Sequence, residues 1–170
     1  MKNVLNRTYK GFTIIEVMIV LAIAGLIMVV VFLAIPQLQR SQRNNAREAV
    51  MNRISAEVNN FASNNSGAIP TADAAVTTGF NGVGGGFYVR YINSNASSFT
   101  DPSTGVTMIL TSMSIPAGGA LTGVVTSSGT AYYSRRAVCN GESAILNSND
   151  RNFVVATLLE GGAIYCLDNR

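Results

Sequence analysis

Residues 12–35 constrain this chain more than any other segment. They run from Phe12 to Ile35 with Glu16 as their one charged residue. As a helix, rising about 1.5 Å per residue, the run is about 36 Å long, enough to cross a hydrocarbon core of about 30 Å. Ile, Val, Leu, Met and Ala lie around its whole circumference, with Gly25 in the middle. Such a helix has no wet face, so it suits burial on all sides. A carboxylate inside it is expensive and requires a reason.

The charge balance points the same way. The formal net charge is +3, yet Lys2, Arg7 and Lys10 all fall in the first ten residues, and the chain has no other lysine. Without residues 1–11, the remaining Lys and Arg equal the Asp and Glu, nine for nine. A basicity confined to a short leader is a targeting signal, not an affinity for nucleic acid. The charged fraction of 12% is about half the usual quarter, and the body is rich in Ser, Thr, Asn, Gly and Ala, as in exported β-rich proteins.

Three kinds of segment fit a basic start followed by an apolar run. A cleaved secretory signal would use Ala22-Ile23-Ala24 as its small-x-small site, but cutting there leaves Gly25–Ile35 as a further apolar stretch on the mature end. A plain single-pass anchor explains the length but neither Glu16 nor the Gly11-Phe12 junction. Its orientation is ambiguous by charge, because Arg40, Arg43, Arg47 and Arg53 follow the run. The third kind uses every feature: a short basic leader ending in Gly11, then Phe12-Thr-Ile-Ile-Glu16, then the apolar helix. This resembles the class III signal of type IV pilins, strongly over residues 1–35 and moderately to about residue 63.

The resemblance implies a sequence of events. A membrane aspartyl prepilin peptidase would cut between Gly11 and Phe12 on the cytoplasmic side and N-methylate Phe12. Gly11 lets a protease approach the backbone closely. Cleavage removes the three leader charges and creates a new cation, the Phe12 amine. Glu16, fifth in the mature chain, would pair with that amine on its own or a neighbouring chain, making it an assembly residue. The implied partners are other copies of the chain in a helical filament, the prepilin peptidase, the pilus assembly machinery, and the membrane before assembly. The precursor would sit in the cytoplasmic membrane with its N-terminus inside, and the product would be an extracellular pilus. Adhesion, twitching motility, retraction and DNA uptake are family activities that no residue here specifies. The alternatives are a pseudopilin of a type II secretion system and a membrane-anchored binding or enzymatic domain.

Pro36 ends the apolar run and is the expected helix break, since it lacks an N–H and its ring clashes with the carbonyl of Phe32. In the pilins this resembles, such a proline often lies earlier, at the position of Leu33, whereas Gly25 matches a common glycine. Beyond Pro36, Ala46, Val50, Ile54, Val58 and Phe61 recur at the spacing of an amphipathic helix. Arg40, Arg43 and Arg47 are placed on its exposed side. Asn64-Asn-Ser-Gly67 stops the helix. The chain thus divides into a leader (1–11), a transmembrane or filament-core helix (12–35), an amphipathic continuation (36–63) and a globular β-rich domain (64–170).

Residues 67–86 read as a surface connection. Their Gly82-Val-Gly-Gly-Gly86 run lacks phosphate-loop spacing and a following Lys-Ser/Thr. Strand-like segments fall at 87–92, 106–113, 130–138, 152–159 and 163–167, and Gly161-Gly162 reads as a tight hairpin. One long helix followed by clustered strands predicts an α+β fold, with an antiparallel sheet packed on the helix's second half. Cys139 and Cys166 suffice for one disulfide in an exported chain, the alternative being two unpaired buried thiols. The chain has no histidine, the commonest general base and metal ligand. Asp150, Glu160 and Asp168 are too scattered for a calcium loop, which disfavours the major pseudopilin. No cofactor, metal site or catalytic residue is expected. Arg135-Arg136 reads as surface, with DNA or another polyanion as the alternative contact. Asn64-Asn-Ser and Asn95-Ala-Ser match the glycosylation sequon.

Overall fold

The computed structural model describes residues 11–71 and 86–170. The leader up to Lys10, and with it most of the expected 67–86 connection, lies outside them. The chain divides into one unit ending at Gln39 and a second spanning Arg40–Arg170.

Helix α1 covers Ile14–Asn64, and Pro36 lies inside it. The expected break at Pro36 is therefore corrected: residues on both sides stay helical. A single proline removes one bond of the i→i−4 ladder, while the neighbouring bonds remain. The helix stops where expected. Gly67, at φ +82°, donates its N–H to the Ala62 carbonyl at 2.8 Å, a left-handed C-terminal cap. A side chain there would be strained by the left-handed backbone, and its Cβ would stand 3.1 Å from the Arg151 guanidinium.

Within the second unit, α1 buries Val50, Met51, Ile54, Val58 and Phe61, matching the predicted stripe except that Ala46 is only half-buried. These residues pack against a four-stranded sheet in the order β1 (Ile109–Ser112), β2 (Thr130–Arg135), β5 (Phe153–Leu158), β6 (Ile164–Asp168). Strands β2, β5 and β6 are antiparallel neighbours, and β1 runs parallel to β2. The sheet is thus mixed at one edge. A parallel neighbour needs a long crossover, and residues 113–129 provide it. The β5–β6 turn is the expected hairpin: Leu159 donates to the Ala163 carbonyl at 2.8 Å, with Gly161 and Gly162 at φ +106° and +91°.

The segment at 87–92 is not a strand. It forms a π-helical turn, Tyr88–Ile92, followed by a 3-10 segment, Asn93–Phe99. The turn brings the Phe87 and Tyr91 rings to 5.5 Å, both set edge-on to Phe61 at 5.6 and 5.7 Å. In a strand, residues four apart lie about 13 Å apart, so this aromatic cluster requires the helical turn. Packing overrides the β-propensity of the sequence.

Strand β5 is buried on both faces. Phe153 and Val155 join the core beneath α1. Val154 and Ala156 face a second core with Tyr132, Ile164, Leu121 and Val125. Ala137 and Ala144 of the two-stranded hairpin β3 (Ala137–Asn140) and β4 (Ser143–Leu146) cover that second core. Strand β4 has no counterpart in the sequence reading.

A disulfide joins Cys139 of β3 to Cys166 of β6, with Cα atoms 5.9 Å apart. The Cys139 N–H also donates to the Asp168 carboxylate at 2.8 Å. The bridge therefore fastens the outer hairpin to the sheet's edge strand. In the chain-entropy account, closing this loop contributes roughly 3.5 kcal/mol. Replacing both cysteines by serine should lower stability by about 3 kcal/mol in denaturant titration of the full chain in detergent, while far-ultraviolet circular dichroism retains the helix and the sheet.

Candidate processing and assembly site

Gly11, Phe12 and Thr13 precede α1 in non-helical backbone. A Cβ on Gly11 would meet nothing within 4 Å among the described residues. The Phe12 ring is 89% exposed. Helix α1 begins one residue after Thr13, and Glu16 occupies its third position. The Glu16 Oε2 accepts the Thr13 N–H at 2.8 Å and the Thr13 hydroxyl at 2.7 Å. The Glu16 N–H points back to Thr13 Oγ1 at 3.4 Å.

This reciprocal arrangement is a capping box, which satisfies backbone donors that the first helical turn leaves unpaired. Its Thr-x-x-Glu signature stands in the sequence at Thr13 and Glu16. Glu16 therefore has a role within its own chain: it starts the helix. Only Oε2 is engaged in it, and Oε1 has no hydrogen bond among the described residues. The carboxylate borders a shallow groove lined by Phe12, Val17, Val20 and Leu21. Every residue from Gly11 to Arg40 is exposed, so a continuous apolar surface follows the site. The helix is long and apolar enough to cross a membrane.

Farther along α1, the arginines are not arranged as expected. Arg40 is exposed, but Arg43 is half-buried and Arg47 is 1% exposed. Arg47 Nε donates to Asp101 Oδ2 at 2.7 Å, and its Nη2 donates to Ser103 Oγ at 2.8 Å. Arg43 grips both oxygens of Glu160, at the β5–β6 turn, at 2.6 and 2.7 Å. Arg47 Nη1 reaches the same carboxylate at 3.3 Å. Asn44 completes the grip by donating to the Glu160 carbonyl at 3.1 Å and accepting the Glu160 N–H at 2.8 Å.

Position 47 is in phase with Val50, Met51 and Ile54, so it must point inward. A buried guanidinium persists only with its charge and donors matched. Burial by itself would raise the Asp101 carboxyl, but hydrogen bonds from Arg47 and Ser103, with the Arg47 charge, hold it at about 2. The Glu160 carboxyl is likewise lowered, first by its hydrogen bonds from Arg43. Arg136, of the expected basic pair, is bound to Asp150 in an exposed ion pair, which contributes little to stability. Among the described residues, no three His, Cys, Asp or Glu side chains gather as a metal site.

Residues 6–32 match the prokaryotic N-terminal methylation motif. The match contains Gly11, Phe12, Thr13 and Glu16. No curated protein and no solved structure matches the chain.

The buried pair sets an acid limit. The Asp101 carboxyl lies below its ordinary 3.8, so its contribution is fully present above about pH 4 and is lost as pH falls through about 2. Asp101→Asn removes the closer of the two carboxylates facing buried Arg47, leaving only Glu160 at 3.3 Å, and should destabilise the full chain by up to about 3–5 kcal/mol at neutral pH. The variant should also lose much of the parent's steepening of unfolding between pH 4 and 2. Thermal unfolding in detergent across that range measures both.

Proposed function

We propose that this chain is a type IV pilin-like subunit, made as a membrane precursor, processed at Gly11–Phe12 and polymerised into an extracellular helical filament. One observation supports the reading: residues 6–32 match the methylation motif, and within them a Gly-Phe pair stands immediately before a helix whose first turn contains Glu16 and whose following surface is exposed and apolar. A membrane can cover that surface in the precursor, and the helices of other copies can cover it in a filament.

The chemistry follows from the junction. A prepilin peptidase removes the leader and methylates the new Phe12 amine, which keeps its positive charge. Removing Lys2, Arg7 and Lys10 releases the N-terminus from the cytoplasmic face. The free Oε1 of Glu16 is then available to the amine of a neighbouring copy, while Oε2 remains on Thr13. An ion pair made only in register penalises an unassembled subunit and favours a correctly placed one. The same motif serves a secretion pseudopilin, which would form at most a short fibre. The other partners in this reading are the pilus assembly machinery and the membrane.

Mass spectrometry of the mature chain should find N-methylated Phe12 as its first residue, and an intact Met1 would remove the whole reading. Glu16→Leu should leave cleavage intact, yet reduce filament recovered by shearing at least ~100-fold, as expected for about 3 kcal/mol of lost pairing. Electron microscopy of sheared material then separates long pili from short pseudopilus fibres.

A further inference from the structure

An open cleft of about 280 Å³ lies where the end of α1 meets the turn before β5, lined by Asn59, Ala62, Ser63, Ile69, Arg151 and Asn169. The backbone places Arg151 there. Its N–H donates to Asn149 Oδ1 at 3.0 Å, and its carbonyl accepts the Asn169 side-chain N–H at 2.9 Å. Gly67 leaves the space into which the guanidinium extends, since a Cβ there would stand 3.1 Å from Arg151 Nη2. The guanidinium makes no hydrogen bond and no ion pair among the described residues. It does not cap the helix either. Asn65 Nδ2 holds the Phe61 carbonyl at 2.7 Å, and the Gly67 N–H holds that of Ala62 at 2.8 Å. The carboxylates nearest in sequence are committed elsewhere: Asp150 to Arg136, and Asp168 to the Cys139 N–H and Arg170. Arg135, in register with Phe153 at the same end of the sheet, is likewise in no ion pair, and its Nε is buried without an acceptor.

We propose that this cleft binds a carboxylate, with Arg151 taking the acid group and Asn59 a neighbouring oxygen. A planar guanidinium meets a carboxylate with two parallel N–H···O bonds, and such charge-assisted pairs are among the strongest polar contacts. The Asn59 carboxamide also has no hydrogen bond among the described residues, so it supplies further donors. Asn169 cannot share this role. Its Oδ1 accepts the Phe153 N–H at 3.1 Å, and its Nδ2 is spent on Arg151. The Ser63 hydroxyl proton is spent on the Asn59 carbonyl at 2.9 Å, which leaves its lone pairs for a ligand hydroxyl. Ala62 and Ile69 supply the apolar part of the wall. No acid lines the cleft, so a cationic ligand finds no partner in it. Its volume is at the small end of ligand sites, which suits one sugar ring or one side chain. The carboxylate can therefore come from a free acidic sugar or from an acidic side chain of another copy. Binding by the single chain does not depend on polymerisation.

The probe is glucuronate, with glucose as its neutral counterpart, followed by saturation-transfer difference NMR on the full chain in detergent. The parent monomer should give a saturable glucuronate signal, and glucose should give none. Arg151→Gln should weaken the binding at least ~10-fold, as expected for loss of a charge-assisted pair, while Arg151→Lys weakens it less and Arg40→Gln leaves it unchanged. Both Arg151 variants should unfold at the parent's temperature, because the guanidinium makes no bond within its own chain. Absence of a saturable signal, an equal signal from glucose, or undiminished binding by Arg151→Gln overturns the proposal. The same measurement on sheared filaments identifies the source. A filament that binds glucuronate takes a free acid, and one that excludes it fills the cleft with a carboxylate of a neighbouring copy. If the chain forms no filament, the polymerisation reading fails, and the monomer result still decides this one.

Discussion

One helix serves two different surroundings, and the rest of the structure follows from that. Up to Arg40, α1 is exposed on every side and largely apolar. From Arg43 onward one face is committed to a sheet. The change is made with charge instead of with a break in the backbone. Pro36 leaves the helix intact, and the polar residues after it fasten α1 to the β-rich body. Arg43, Asn44 and Arg47 grip Asp101 and Glu160, which lie far away in sequence. A buried ion pair is a poor source of net stability against an apolar alternative, but a sensitive specifier of arrangement. Here it sets the β5–β6 turn at one register along the helix.

At the other end of α1, Glu16 is engaged first in local chemistry. The capping box holds one carboxyl oxygen within its own chain, and the second stays free. A carboxylate already ordered by its own helix loses less freedom when it meets a cation from outside. Under the proposed function, the same residue would begin the helix and mark its place in the assembly.

Much of this was legible in the sequence because it is local. The membrane-length run, the Gly-Phe junction, the helix stop at Gly67, the Gly161-Gly162 hairpin and the strand around 152–159 are short-range patterns of period and turn chemistry. The capping box was legible too, since Thr13 and Glu16 stand three apart. The strand expected at 130–138, in contrast, is broken at Arg136 (φ +52°) into β2 and β3 of different sheets. What was misread depends on distant partners. Phe87-Tyr-Val-Arg-Tyr-Ile92 alternates like a strand, yet Phe61 draws its rings together on a helical turn. Arg47 looked solvated because Asp101, its counter-charge, is 54 residues away. The parallel pairing of β1 depended on how residues 113–129 cross back over the sheet.

By itself the sequence determined that this chain has an apolar helix of membrane length, a carboxylate in its first turn, a Gly-Phe pair before it and an α+β body behind it. All of these are properties of residue order and spacing. Only the tertiary structure decided which arginines are buried, which strand lies at the sheet's parallel edge, and that a second layer closes its outer face. Those depend on which distant residues meet. Burial and charge pairing are energies of encounter, and no spacing along the chain encodes them directly.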